Sequence, residues 1–238
     1  MTEAENDFAT LGAWPEEPLG IRLWLIGLDA RCDVDASLLG PLERARADRF
    51  AFERDRHRYL VAHVALRRLL CERGALEAGR DFEYDAYGKP RLPSPRRCVF
   101  SLSHSGGWAL VGLAPDGEIG VDLELARDIG EIDALLDEHF SDAERAEYAA
   151  AGTGAASLRA FLRGWSRKEA CLKALGCGFD EPASAIETGL EAGPRILWHP
   201  LGREHLVARV QTIDMAPHVV AAVARVEVWN PDRARDGS

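Results

Sequence analysis

RYLVAHVALRRLLCERG (58–74) and AFLRGWSRKEACLKALG (160–176) are equally long, each places an aromatic residue and a leucine near its start, and each stops on glycine. Apolar residues recurring at intervals of three and four predict an amphipathic helix in both, and glycine just past the last turn is a common helix stop. Each stretch is followed by a turn region and an antiparallel strand pair. This faint repeat predicts an α+β fold of two similar halves, each a small antiparallel sheet packed on a long helix, related by a pseudo-twofold with the active site between them. The halves are placed at 1–115 and 116–238, forming one compact unit, and a chain that supplies its own pseudo-twofold pair is expected to be a monomer.

Working outward, LWLIGL (23–28) reads as an opening strand, and the chain from Pro41 to about Arg73 reads as helical. Extended segments follow around Phe82–Tyr84 and Cys98–Ser103, with Trp108–Leu113 as a hairpin partner across Gly106-Gly107. EIGVDLEL (118–125) is a strand by its alternation. Helices are expected at Ile132–Phe140, at Asp142–Ala150 behind Ser141 as N-cap, and at Leu158–Leu175 before Gly176. Strands around Leu206–Thr212 and His218–Val228 close the fold, and PDRARDGS (231–238) reads as a loose tail.

With 238 residues, 47% of them hydrophobic and 29% charged, the chain is long enough to bury a core, and collagen-like, coiled-coil and mini-protein classes are set aside. No apolar run approaches the ~18 residues that a membrane span needs. The N-terminus MTEAENDFAT is acidic where a signal peptide is basic and then apolar, so a cytoplasmic protein is expected. Cys32, Cys71, Cys98, Cys171 and Cys177 are scattered, with no CxxC pair, and read as buried thiols. A net charge of −10 argues against nucleic acid as a partner. The average conceals an asymmetry: residues 43–97 hold 14 Lys and Arg against 9 Asp and Glu, a surplus of +5, while the remaining 15 basic and 30 acidic residues give −15. A basic segment of this kind suits a small polyanion or a charged helix surface.

Four segments carry chemistry. In IGVDLE (119–124), Asp122 and Glu124 share one strand face with alpha carbons ~6.6–6.8 Å apart, a spacing that lets two carboxylates chelate a hard cation such as Mg2+ or simply face water. On the second long helix, Leu158, Leu162, Trp165, Glu169, Leu172 and Gly176 trace one face, and Glu169 interrupts the apolar stripe. A carboxylate there must pair with a cation or take a raised pKa, and Lys173, one turn on, is a candidate partner. SLSHSGG (101–107) places Ser103 and His104 at a strand end running into a glycine turn, a candidate phosphate cradle that is not a nucleophile elbow. YGKPRL (87–92) fixes a turn with Gly88 and Pro90 and presents Lys89.

In this order, basic helix, YGKP, SLSHS, IGVDLE and WSRKEACLKALG, the chain resembles the 4′-phosphopantetheinyl transferase superfamily, over about residues 40 to 180. The match is to the long single-chain type that activates surfactin-like peptide synthetases and polyketide synthases. The resemblance implies Mg2+-dependent transfer of the 4′-phosphopantetheine arm of coenzyme A to a serine of an apo acyl, peptidyl or aryl carrier protein, with release of 3′,5′-ADP; Mn2+ is the alternative ion. Asp122, Glu124 and Glu169 match the metal ligands, Glu169 also the proposed base, and Lys173 the lysine on the coenzyme A phosphates. Ser103 and His104 match the phosphate-contacting pair, Lys89 and Pro90 the loop beside the adenosine, and Arg46 a phosphate-binding cation. The N-terminal half is thereby assigned the phosphate and adenosine contacts, and the C-terminal half the metal and catalysis. The chain departs from the pattern at Ser101, where many members have Asn, at Tyr59, where some have a phosphate-contacting Thr, and at Glu43, where some are basic; Arg44 and Arg49 are candidate substitutes.

Two rivals are weighed against this. A metal-dependent nuclease would need a lysine two residues beyond Glu124, and residue 126 is Ala. A noncatalytic coenzyme A or nucleotide-binding module would leave the three acidic residues without a task.

Overall fold

The computed structural model describes residues 10–30, 34–127, 129–177, 182–203, 205–216 and 218–228. The first nine residues, Cys32 and the tail 231–238 lie outside the described residues. The chain divides into two compact units, Met1–Asp116 and Gly117–Ser238. The mixture of helices and small antiparallel sheets is the expected α+β class.

In the first unit, β1 (Thr10–Ala13), β2 (Arg22–Gly27), β5 (Val99–Ser105) and β6 (Trp108–Ala114) form an antiparallel sheet in the order β1-β2-β6-β5. A separate two-stranded hairpin joins β3 (Glu83–Tyr84) to β4 (Pro90–Arg91). The long helix α2 (Glu53–Glu72) lays Val61, Ala62, Ala65, Leu66 and Leu70 on Trp24, Ile26, Leu28, Phe100, Ala109, Val111 and Leu113. Those positions recur at helical spacing, so one face of α2 and one face of the sheet make the core. LWLIGL proves to be the second strand, not the first: the four-residue β1 precedes it.

The continuous helix expected from Pro41 to Arg73 is instead two. α1 (Pro41–Ala47) starts on a proline at its first position and is closed by Glu43, whose carboxylate accepts the Gly40 N–H at 3.1 Å. The chain leaves the helix after Asp48 and re-enters after Phe52, which is extended (φ −114, ψ 130). The break turns Phe50 onto Tyr59, ring centroids 5.2 Å apart.

In the second unit, β7 (Glu118–Leu125), β8 (Arg195–Trp198), β9 (Leu206–Ala216) and β10 (Val219–Val228) form an antiparallel sheet in the order β7-β10-β9-β8. The helices are α3 (Ile132–His139), α4 (Asp142–Ala150) and α5 (Ala155–Leu175). Ser141 caps α4 as expected: its hydroxyl accepts the Glu144 N–H at 3.2 Å, and Glu144 accepts the Ser141 N–H at 3.0 Å. α5 stops where Gly176 turns left-handed (φ 65) and donates its N–H to the Leu172 carbonyl at 2.9 Å.

Within each unit the connections repeat. A strand leads to a long helix, and the hairpin that follows brings its second strand back beside the first: β2, α2, then β5–β6 with β6 on β2, and β7, α5, then β9–β10 with β10 on β7. The additional edge strands, β1 and β8, lie at opposite positions in the two sheets.

Candidate functional site

The site in the second unit starts from a glycine. A side chain at Gly120 would run into the Ala170 carbonyl and come within 2.6 Å of the Ala174 nitrogen. Its absence lets α5 lie directly on β7. Alternation along the strand then puts Asp122 and Glu124 on the Gly120 face, and α5 brings Glu169 and Lys173 to meet them. The Lys173 ammonium donates to Asp122 Oδ1 at 2.7 Å, with Asp122 itself buried at 3% exposure. The expected stripe on α5 passes between two cores: Leu158, Leu162 and Trp165 belong to the cluster with Leu136 and Phe140, and Leu172 to the cluster under β9 and β10. Glu169 sits at the changeover.

The electrostatics identify an excess of negative charge. Burial pushes the Glu169 carboxyl up from its ordinary 4.5 to about 7; Lys173 works against this, while Asp122 and Glu124 add to it. The four side chains singled out on these two segments therefore act on one another, and the close ion pair is Lys173 with Asp122 rather than an i,i+4 bridge to Glu169 alone. Three carboxylates against one ammonium form a hard-oxygen donor set, and that chemistry fits a divalent ion such as Mg2+. Among the described residues no three acidic, His or Cys side chains stand as a ready-formed cage. Asp122, Glu124 and Glu169 are the residues that would hold such an ion.

Two cations beside Glu169 on α5 went unnoticed in the sequence, and they fix the helix. Lys168 is 1% exposed and satisfies all three N–H groups: Glu144 Oε2 at 2.6 Å and the carbonyls of Ala183 and Ile186 at 2.9 and 2.7 Å. Arg167, equally buried, donates to the carbonyls of Thr188, Glu191 and Gly193 at 2.8 to 2.9 Å. Desolvation lowers both basic groups, Arg167 to about 10. Glu144 also takes the N–H groups of Thr188 and Gly189 at 2.8 and 3.0 Å. The only signal in the sequence is the placement of two consecutive basic residues in a run that is otherwise core. The Ser166 hydroxyl next to them is buried with no hydrogen-bond partner among the described residues.

In the first unit Arg46 lies on α1, exposed, with its guanidinium 5.7 Å from the centre of the Tyr59 ring. Tyr59 is 5% exposed and stacks on His63 at 4.0 Å, and desolvation raises its phenol to about 12. Tyr84 on β3 feels the charges of Glu43, Arg67 and Arg46, so the β3–β4 hairpin neighbours this cluster. Glu43 is a buried structural acid that pairs with Arg67 and His63 at 2.5 and 2.7 Å, which accounts for an acidic residue at that position. Arg44 donates to the Leu39 carbonyl, and Arg49 is exposed. Lys89 and Pro90 lie at the turn of the β3–β4 hairpin. Ser103 is buried and His104 exposed on β5, an edge strand, just before the Gly106-Gly107 turn.

Comparison with known proteins gives the class. The model of the 4′-phosphopantetheinyl transferase superfamily matches residues 118–223, the stretch that carries Asp122, Glu124, Glu169 and Lys173. The 4′-phosphopantetheinyl transferase HetI of Nostoc is 33% identical over 165 residues, 66% of this chain and 69% of the relative. The 4′-phosphopantetheinyl transferase psf-1 of Bacillus pumilus is 32% identical over 176 residues, 73% of this chain and 74% of the relative. A putative 4′-phosphopantetheinyl transferase of Synechocystis is 34% identical over 145 residues, 60% of this chain but only 58% of the relative. The chain belongs to the 4′-phosphopantetheinyl transferase superfamily and is a transferase. No helix among the described residues is long and apolar enough to cross a membrane.

Proposed function

We propose that this chain transfers the 4′-phosphopantetheine group of coenzyme A to the serine of an apo acyl, peptidyl or aryl carrier protein, releasing 3′,5′-ADP. The observation that carries the reading is the meeting of the IGVDLE and WSRKEACLKALG segments at Gly120, with Lys173 on Asp122 at 2.7 Å and Glu169 raised by burial and by its acidic neighbours. Asp122, Glu124 and Glu169 would hold Mg2+, with Mn2+ as a substitute, and the ion would supply charge neutralisation at the pyrophosphate. Lys173 places a positive charge on the oxygens that become the leaving phosphate of 3′,5′-ADP. Glu169 would take the serine hydroxyl proton, directly or by way of a water, as the serine oxygen forms its bond to phosphorus and the bond from phosphorus to the departing 3′,5′-ADP oxygen breaks. The charge of a bound ion would lower this carboxyl from the value it has without metal, so Glu169 acts as a positioned proton acceptor and not as a strong base.

Arg46, Lys89, Pro90, Ser103 and His104 bind the phosphates and adenosine of coenzyme A, in line with the basic surplus of residues 43–97. A monomeric state and a cytoplasmic setting belong to the same proposal, as does service to surfactin-type peptide synthetases and polyketide synthases. The test is to mix the protein with coenzyme A, Mg2+ and a panel of apo carriers and to weigh each carrier intact. Addition of the phosphopantetheine mass to at least one carrier, abolished by chelation, is the expected result; a panel left unmodified while an authentic transferase modifies it overturns the reading.

A further inference from the structure

The five residues Asp85-Ala86-Tyr87-Gly88-Lys89 join β3 to Pro90-Arg91 of β4. The hairpin's ladder consists of two residue pairs, Glu83 with Arg91 and Tyr84 with Pro90, and proline brings no N–H to a ladder. A ribbon this short does not keep its shape on backbone pairing alone. Five hydrogen bonds within the turn converge on Asp85. Asp85 Oδ1 accepts the backbone N–H of Tyr87 at 3.1 Å and of Lys89 at 2.9 Å, while Oδ2 accepts Arg91 Nε at 3.1 Å. The Asp85 N–H donates to the Lys89 carbonyl at 3.1 Å, and the Asp85 carbonyl accepts the Gly88 N–H at 3.0 Å. Gly88 supplies the left-handed residue (φ 79) that lets the chain reverse inside these bonds.

We infer that Asp85 is a positioning residue for donor binding: its carboxylate ties the N–H groups of the turn so that Lys89 and Pro90 are presented in the conformation that meets the adenosine end of coenzyme A. This rests on the reading that the turn contacts coenzyme A. Asp85 does not itself touch the donor. It removes in advance the disorder that binding would otherwise have to remove, which is how a preorganised loop gains affinity. The charge state agrees with the geometry: burial acts to raise the Asp85 carboxyl, and the bonds from Lys89, Arg91 and Tyr87 outweigh it and hold it below its ordinary value. The carboxylate is thus ionised, and a full acceptor, throughout the neutral range.

The test measures binding of coenzyme A, 3′,5′-ADP and 4′-phosphopantetheine by calorimetry, together with KM and kcat for transfer, in Asp85→Ala, Asp85→Asn and Lys89→Ala. Asp85→Ala is expected to weaken coenzyme A and 3′,5′-ADP roughly 10- to 100-fold, to raise KM to match, and to leave kcat and 4′-phosphopantetheine binding within about twofold. Asp85→Asn keeps an oxygen that can accept the Tyr87 and Lys89 N–H groups and is expected to recover affinity to within about threefold. If Lys89→Ala weakens the adenosine-containing ligands and Asp85→Ala does not, the positioning role is overturned and the donor-contact reading stands. If neither variant weakens them, the turn does not meet the donor and both fail. Equal weakening of all three ligands, or a kcat loss that Asn does not restore, assigns Asp85 to general structure and also overturns the inference.

Discussion

Replacing Glu169 with Gln in the metal-free protein should separate its stability from that of the parent in a pH-dependent way. The carboxyl titrates at about 7 in the folded chain against an ordinary 4.5. A raised acid is protonated in the folded state while already ionised in the unfolded state throughout that window, so this group's contribution to stability falls as pH rises from 4.5 to 7 and is flat above. Each pH unit of difference corresponds to 1.36 kcal/mol. The shift of 2.5 units therefore makes ionised Glu169 cost about 3 kcal/mol by pH 8, an upper figure for a half-buried group that water can partly reach. Gln has nearly the same shape and never ionises. Urea unfolding of both proteins in a chelator, at intervals from pH 4.5 to 9, should give similar midpoints at the acid end, with the variant more stable by about 2–3 kcal/mol at pH 8. Groups remote from Glu169 cancel in the difference, while Asp122, Glu124 and Lys173, whose charges act on it, contribute to it. Adding Mg2+ at pH 8 should close the gap by stabilising the parent alone. A difference that stays constant with pH would refute the argument, because it would mean that the carboxylate is not desolvated among like charges.

Other consequences follow from the same contacts. Gly120→Ala places a methyl group against the Ala170 carbonyl and should destabilise the second unit by about 2 kcal/mol while lowering transfer more than tenfold, read by unfolding and by intact-mass carrier assays. Asp122→Asn removes the anionic partner of Lys173 and one proposed ligand, and a loss of about 100-fold or more in transfer is expected, with Mn2+ affinity weakened in a direct titration. Lys168→Met strands the Glu144 carboxylate in the interior and should cost about 3–5 kcal/mol; adding Glu144→Gln should recover part of it, a coupling that a double-mutant cycle measures. Ser166→Ala deletes a buried hydroxyl without a partner among the described residues, so its unfolding midpoint should not fall.

What could be read in the sequence follows from how local each signal is. β7, α4 and the end of α5 are legible because alternation, an N-cap serine three residues before Glu144, and a glycine stop are all short-range features. β1 and β8 are not, since four residues apiece carry too few alternations to stand out, and the pattern of β8 leaves Ile196 and Trp198 about half exposed. The break between α1 and α2 contains neither proline nor glycine at residues 48–52; it goes with the packing of Phe50 on Tyr59, a contact that no local pattern announces. Asp122, Glu124, Glu169 and Lys173 can each be singled out from spacing and chemistry in the sequence, but Asp122 as the partner of Lys173 cannot. Helical spacing favours the residue one turn away, and only the close approach of α5 at Gly120 puts a strand carboxylate in reach.

The contrast between two lysines five residues apart on α5 shows why the site is placed where it is. Lys168 has as many acceptors as donors, and its carboxylate partner is itself held by backbone N–H groups. Such a pair rigidifies and asks for nothing more. Around Lys173 there are three carboxylates, one of them pushed to about 7 by burial and by the other two. A folded chain tolerates this only with an energetic penalty, and departures from local balance concentrate where a ligand restores it. The same helix thus carries a neutralised pair that fixes it and, one turn further, a lysine among three carboxylates, the groups to which the proposed function assigns a divalent ion.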